Sequence, residues 1–128
     1  MLEVKIFTLY PDLFPGPLDM GIYKKARENK TWNLKVVNIR DYSIDSHGSV
    51  DDTPFGGGSG MLLRPDVVAS ALDNNIKPGE KTIYLSPKGK KFDQNEAKLI
   101  SKLDKINILC GHFEGVDQRV LELSLIHI

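Results

Sequence analysis

Two short runs constrain this chain more than any other feature: residues 81–86 (KTIYLS) and residues 106–110 (INILC). Both are nearly continuous in apolar, β-prone side chains. They lack the strict alternation of a strand with one wet face, and so predict strands of a parallel sheet covered on both sides. Parallel neighbours need a long crossover, and residues 93–103 (DQNEAKLISKL) supply a helix between them. Asp93 stands at the N-cap, with Glu96 at capping-box spacing. Each run ends in a glycine-containing turn, Pro87-Lys-Gly89 after the first and Gly111-His-Phe-Glu-Gly115 after the second. In open α/β sheets, ligands bind beyond the carboxyl ends of the strands.

The rest of the chain extends this pattern. Residues 3–9 (EVKIFTL) predict a first strand, and Pro11, Pro15 and Pro17 punctuate the turn after it. Residues 18–29 predict a helix from Leu18, Ile22 and Ala26 at four-residue steps, weakened by Gly21. Residues 34–39 (LKVVNI) predict a second strand. From residue 40 to 60 regular patterning disappears into a polar, then glycine-rich loop. A loop of about twenty residues inside a compact domain is more often functional than decorative. Residues 65–74 predict a helix with Pro65 at its start and Val68, Ala71 and Leu72 on one face. A short helix is predicted over 116–123. The order β-α-β-loop-α-β-α-β-α predicts an α/β fold: an open parallel sheet with helices on both faces, in one domain over residues 1–128.

Composition excludes more than it identifies. With 128 residues the chain can bury one real core but hardly two. No apolar run approaches the roughly 18–20 residues of a membrane helix. The opening MLEVKIFTLYPDLF has no basic segment and does not read as a secretory signal. The single cysteine, Cys110, permits no intrachain disulfide and suits a reducing cytoplasm. His47, His112 and His127 are scattered, which argues against a dedicated metal cage. Formal net charge is zero, so the chain offers no overall electrostatic attraction for nucleic acid.

Three segments are candidates for chemistry, each with a plain structural alternative. Residues 84–89 (YLSPKG) can line a nucleoside pocket at a strand end, or simply turn the chain into a helix. In residues 110–115 (CGHFEG), Gly111 allows close backbone approach, Phe113 can pack on a flat ligand and Glu114 can accept hydrogen bonds. The alternative is a surface loop, with His112 solvated and Cys110 a small core residue. Residues 50–60 (VDDTPFGGGSG) hold three successive glycines, whose entropic cost wants an offset such as an anion cradle. The segment is neither a Walker A loop nor a dinucleotide fingerprint. It reads equally as a flexible linker, with Asp51 and Asp52 as loop caps or base-contacting carboxylates.

In this order and spacing the segments resemble the tRNA (guanine-N1)-methyltransferase family over nearly the whole chain. IFTLYPDLF is similar to its opening strand and turn, VDDTPFGGGSGM to its VDD-x-P-[YF]-GGG-x-GM signature, YLSPKG to YLSP-x-G, and CGHFEGVDQR to CG-x-[YF]-EG-[IV]-D-x-R. The resemblance implies the trefoil-knotted methyltransferase fold, an exception to the rule against knots. It implies a homodimer that moves a methyl group from S-adenosylmethionine to N1 of the guanosine just 3′ of the anticodon in tRNA. By position, Tyr84, Leu85, Ser86, Pro87, Gly111, Phe113, Glu114 and Gly115 are expected at the cofactor. Asp51, Asp52, Gly56, Gly57 and Gly58 are expected at the target guanosine. Magnesium dependence is implied, with no ligand assigned.

After Arg119 the family continues into a SIGDY-type loop, a linker and a helical domain that carry the general-base aspartate and much of the tRNA surface. The last residues, SLIHI, depart from that pattern. The expectation is a chain truncated before the knot is complete and inactive alone, with Leu123, Leu125 and Ile126 as exposed apolar residues. Alternative readings are a non-catalytic nucleotide- or RNA-binding module, another knotted RNA methyltransferase, or a folded remnant without activity.

Overall fold

A computed structural model describes residues 1–43, 51–52, 62–85, 89–111 and 126–127. The predicted helix over 116–123 lies outside these residues, as do Gly56, Gly57, Gly58, Ser86, Pro87, Phe113, Glu114 and Gly115. The strands are β1 (Leu2–Thr8), β2 (Trp32–Asn38), β3 (Asp51–Asp52), β4 (Leu62–Leu63), β5 (Lys81–Tyr84), β6 (Lys105–Leu109) and β7 (Ile126–His127). The helices are α1 (Gly21–Glu28), α2 (Pro65–Asp73) and α3 (Gln94–Ser101).

Five strands form one sheet in the order β2-β1-β6-β5-β7, and all four pairings are parallel. The register fixes two faces, because side chains alternate along each strand. Phe7 pairs with Leu109, Leu109 with Tyr84, and Phe7 with Val37, so these four share one face. Ile6, Ile108 and Ile83 share the other. Buried Asn107 sits within the sheet and donates from Nδ2 to the Lys81 carbonyl at 3.2 Å, which satisfies its amide where water cannot.

Helix α2 covers the first face. Pro65 holds N1, where its missing N–H costs nothing, and the residue before it, Arg64, is extended as the proline ring requires. Val67, Val68, Ala71 and Leu72 make one buried stripe packed with Phe7, Leu9, Ile39, Tyr84 and Leu109. The far end of the helix is tied down by Asn75. Its Nδ2 donates to the Ala71 carbonyl at 2.7 Å and to the Tyr42 hydroxyl at 2.8 Å. Lys5 also donates to the Asn75 carbonyl. Helix α3 belongs to the opposite face, where Ile100 approaches Ile83, Ile106 and Ile108 across a cavity. Asp93 caps α3, accepting from the Glu96 N–H at 2.9 Å as the sequence predicts. The Glu96 carboxylate turns to Lys90 at 2.9 Å, so the capping box forms by half.

Several expectations are corrected. The helix predicted over 18–29 is only Gly21–Glu28, preceded by a separate 3₁₀ turn over Gly16–Asp19. Extended Met20 stands between them, and Gly16 and Gly21 take positive φ. Leu18 and Ile22 therefore lie on different elements, and Ile22 is 75% exposed instead of facing a core. The loop predicted over 40–60 is not without regular structure. Ile39–Tyr42 forms a 3₁₀ turn, and Asp51–Asp52 pairs antiparallel with Leu63–Leu62. Ile126 pairs with Ile83 in the sheet, while Leu123 and Leu125 lie outside the described residues.

The core assignment yields a stability prediction. Phe7→Ala empties a fully buried ring site and is expected to cost about 3–5 kcal/mol. Asp93→Ala, losing one cap bond, should cost about 1 kcal/mol. Urea denaturation followed by circular dichroism checks both values and their order.

Candidate functional site

The candidate site forms where parallel pairing runs out. Tyr84 pairs with Leu109, the last residues of β5 and β6. The Cys110 N–H donates to the Phe7 carbonyl at 2.9 Å, which carries β6 one residue further beside β1. Leu85 and Gly111 are therefore brought to the same carboxyl rim, each just beyond its strand. Both are exposed, Leu85 at 57%. The structure thus brings together three of the residues expected at a ligand: Tyr84, Leu85 and Gly111.

Tyr84 and Leu85 play different parts. Successive strand side chains point to opposite faces. Tyr84 turns under α2 and is only 8% exposed, so its ring belongs to the core. That ring also backs Gly111. A Cβ on Gly111 would lie 3.0 Å from both Cε1 and Oη of Tyr84. No side chain fits there without displacing the ring or the turn. Leu85 opens to the other face, where it lines an apolar cavity of about 280 Å³ with Ile83, Phe92, Ile100, Ile106 and Ile108. An apolar wall beside the exposed backbone of Leu85 and Gly111 suits a flat, partly apolar molecule with polar edges.

Asp51 and Asp52 belong to a separate two-stranded sheet with Leu62 and Leu63. This ladder closes the neck of the segment that contains Gly56, Gly57 and Gly58. Both approaches to the neck are anchored on α2. On one side buried Ile39 packs on the helix and Tyr42 bonds Asn75; on the other, Arg64 leads directly into Pro65. The ladder does not include β5 or β6, so it does not itself join the two carboxylates to Leu85 and Gly111.

Two residues on the same rim escaped the sequence reading. Arg40, just past β2, lies over the Tyr10 ring just past β1, with 5.8 Å from guanidinium carbon to ring centroid. Its Nε also donates to the Leu9 carbonyl at 3.4 Å. Following all strand ends to the carboxyl rim, not only those that close on glycine turns, would have found them.

Cys110 is half-buried, and burial pushes its thiol pKa up. The neutral thiol is the weak nucleophile of the pair, so this cysteine fits the packing role better than a covalent one. Among the described residues no group of three His, Cys, Asp or Glu side chains is arranged to hold a metal ion. No helix among them is long and apolar enough to cross a membrane.

Comparison with known proteins agrees with the resemblance in the sequence. A family model described as tRNA (Guanine-1)-methyltransferase TrmD matches residues 2–127. A tRNA (guanine-N(1)-)-methyltransferase of Pelagibacter ubique (strain HTCC1062) is 61% identical over 121 residues, covering 94% of this chain and 53% of the relative. A protein of the same name from Wolbachia pipientis subsp. Culex pipiens (strain wPip) is 48% identical over 123 residues, with coverage of 94% and 53%. Another, from Alkaliphilus oremlandii (strain OhILAs), is 45% identical over 127 residues, with coverage of 93% and 51%. The chain spans about half the length of the curated relatives it matches.

The raised thiol pKa has a direct consequence. The folded state holds the Cys110 proton to higher pH than the unfolded chain does. Its contribution to stability is therefore present below the ordinary thiol pKa and lost as pH rises through the folded value. Alkylation by iodoacetamide near pH 7.5 should be slower in the folded protein than in urea, and should accelerate only at higher pH. Equal rates in the two states at pH 7.5 would contradict the assignment.

Proposed function

This chain belongs to the tRNA (guanine-1)-methyltransferase family, and on that premise we propose that it supplies the methyl-donor half of an enzyme acting on tRNA. The observation that carries the reading is the in-register parallel pairing of β5 with β6, which brings Leu85 and Gly111 to one carboxyl rim. S-adenosylmethionine, when bound, supplies an electrophilic methyl group on a sulfonium sulfur. The acceptor is N1 of the guanosine just 3′ of the anticodon.

Each residue has a distinct task. Gly111 lets the donor approach the chain closely. Leu85 and the apolar wall behind it shield one side of the donor from water. Tyr84, Ser86, Pro87, Phe113, Glu114 and Gly115 complete the donor side, and Asp51, Asp52, Gly56, Gly57 and Gly58 meet the guanosine. Methyl transfer is an in-line displacement, so much of the acceleration comes from holding donor and acceptor in line. The N1 proton must leave to a positioned base as the new bond forms. That base belongs to a region outside this chain, which spans about half of its relatives.

The family reading extends to the assembly. Leu13, Leu18, Met20, Ile22 and Tyr23 are all exposed within one short stretch. Apolar side chains gathered in this way support a homodimer, with this stretch as part of the interface. The five-stranded parallel sheet supports the knotted fold, completed by residues beyond this chain. One half-buried cysteine supports a reducing, cytoplasmic setting. Magnesium is assigned to the complete enzyme, with no ligand among the residues named here.

Two assays on the 128-residue chain test the reading. Calorimetry should detect S-adenosylmethionine binding with Kd between roughly 1 μM and 1 mM. Incubation with methyl-labelled donor and a tRNA bearing guanosine 3′ of the anticodon should leave the tRNA unlabelled. Absence of donor binding would contradict the donor half-site. Labelling at the rate of a full-length relative would contradict the placement of the base outside this chain.

A further inference from the structure

The same side chain touches both halves of the rim. Tyr84 is the last residue of β5, so its backbone launches the chain into Leu85. Its ring, held in the core by Phe7, Leu109 and the α2 stripe, stands where a Cβ of Gly111 would come within 3.0 Å of Cε1 and Oη. We propose that Tyr84 is a positioning residue that fixes the separation of Leu85 and Gly111 at the donor-binding rim by acting as a rigid spacer against Gly111. The proposal rests on the methyl-donor reading of the rim and gives Tyr84 a task there that its ring performs through Gly111.

The physics follows from burial. A tyrosine on the surface would swing aside for an extra methyl group. This ring has only two side-chain torsions and lies in a close-packed cluster, where even one added methylene is felt. A Cβ at Gly111 would therefore displace the turn in preference to the ring. A displacement of a few tenths of an ångström matters at a site whose task is alignment. The spacer also links the rim to the core. Packing of Val67, Val68, Ala71 and Leu72 under the sheet holds the ring, and the ring sets Gly111. Glycine at position 111 is thus required twice, once by the ligand and once by the tyrosine behind it.

A double-mutant cycle read by calorimetric titration of the 128-residue chain with S-adenosylmethionine tests the spacer, with urea denaturation recorded for every variant. Gly111→Ala should weaken donor binding by about tenfold or more while the chain still unfolds cooperatively. In the Tyr84→Leu background, which removes both 3.0 Å obstacles, the Gly111→Ala penalty should fall by about threefold or more, leaving only the part set by the ligand's own approach to the glycine. Should Tyr84→Leu fail to fold, Tyr84→Phe serves instead. It removes the Oη obstacle and leaves Cε1, so the Gly111→Ala penalty should shrink without vanishing. The same fold-loss for Gly111→Ala in every background would overturn the spacer. Failure of the unmodified chain to bind the donor would bring down the methyl-donor reading itself, and the positioning role with it.

Discussion

The parallel alignment of Lys81–Tyr84 with Lys105–Leu109, continued to β1 through the bond from Cys110 to the Phe7 carbonyl, is the constraint on which the rest depends. Register in a sheet has a period of two, so a slip of one residue would exchange the two faces. Such a slip would turn Tyr84 out of the α2 core and swing Leu85 away from its cavity. It would also part the ring from Gly111. The apolar stripe of α2 prevents this, because Phe7, Tyr84 and Leu109 are buried only when all three face the helix. Core packing and site geometry are thus two results of one register.

Helix α2 has a second consequence. Through Ile39 and the Tyr42–Asn75 bond it holds the start of the segment leading to Asp51 and Asp52, and through Arg64 and Pro65 it takes up the far end. The same helix therefore supports both the donor-side rim and the neck of the glycine-rich segment. An account of the protein that treated the two as independent modules would miss their common support.

The parts legible in the sequence were those governed by local rules. Apolar runs at 81–86 and 106–110 announced parallel strands, Pro65 announced the start of α2, and Asp93 announced a cap. Reading those strands as parallel neighbours puts the turns at Pro87 and Gly111 on one rim; the structure describes Gly111 there, while Pro87 lies outside the described residues. What was not legible depends on context. Leu18, Ile22 and Ala26 have helical spacing, but Gly16, Pro17 and Gly21 split the segment, and spacing alone does not report which side meets a core. Asp51 and Asp52 pair with Leu63 and Leu62 through backbone groups, which leave no mark in side-chain pattern. The Arg40–Tyr10 stack joins two strand ends about thirty residues apart and carries no motif. The burial of Tyr84 was hidden for another reason: its place in a signature drew attention to a ligand, while its register on β5 directs the ring to the core.

The central claim is that Leu85 and Gly111 form one donor site on the carboxyl rim. The most direct measurement is a two-dimensional amide NMR titration of the uniformly ¹⁵N-labelled chain with S-adenosylmethionine. The account predicts that the Leu85 and Gly111 resonances move together along one binding curve, while Gly79, Glu80 and Lys105 at the opposite rim stay in place. Shifts confined to that opposite rim, or a Leu85 and Gly111 pair that responds with different affinities, would contradict it.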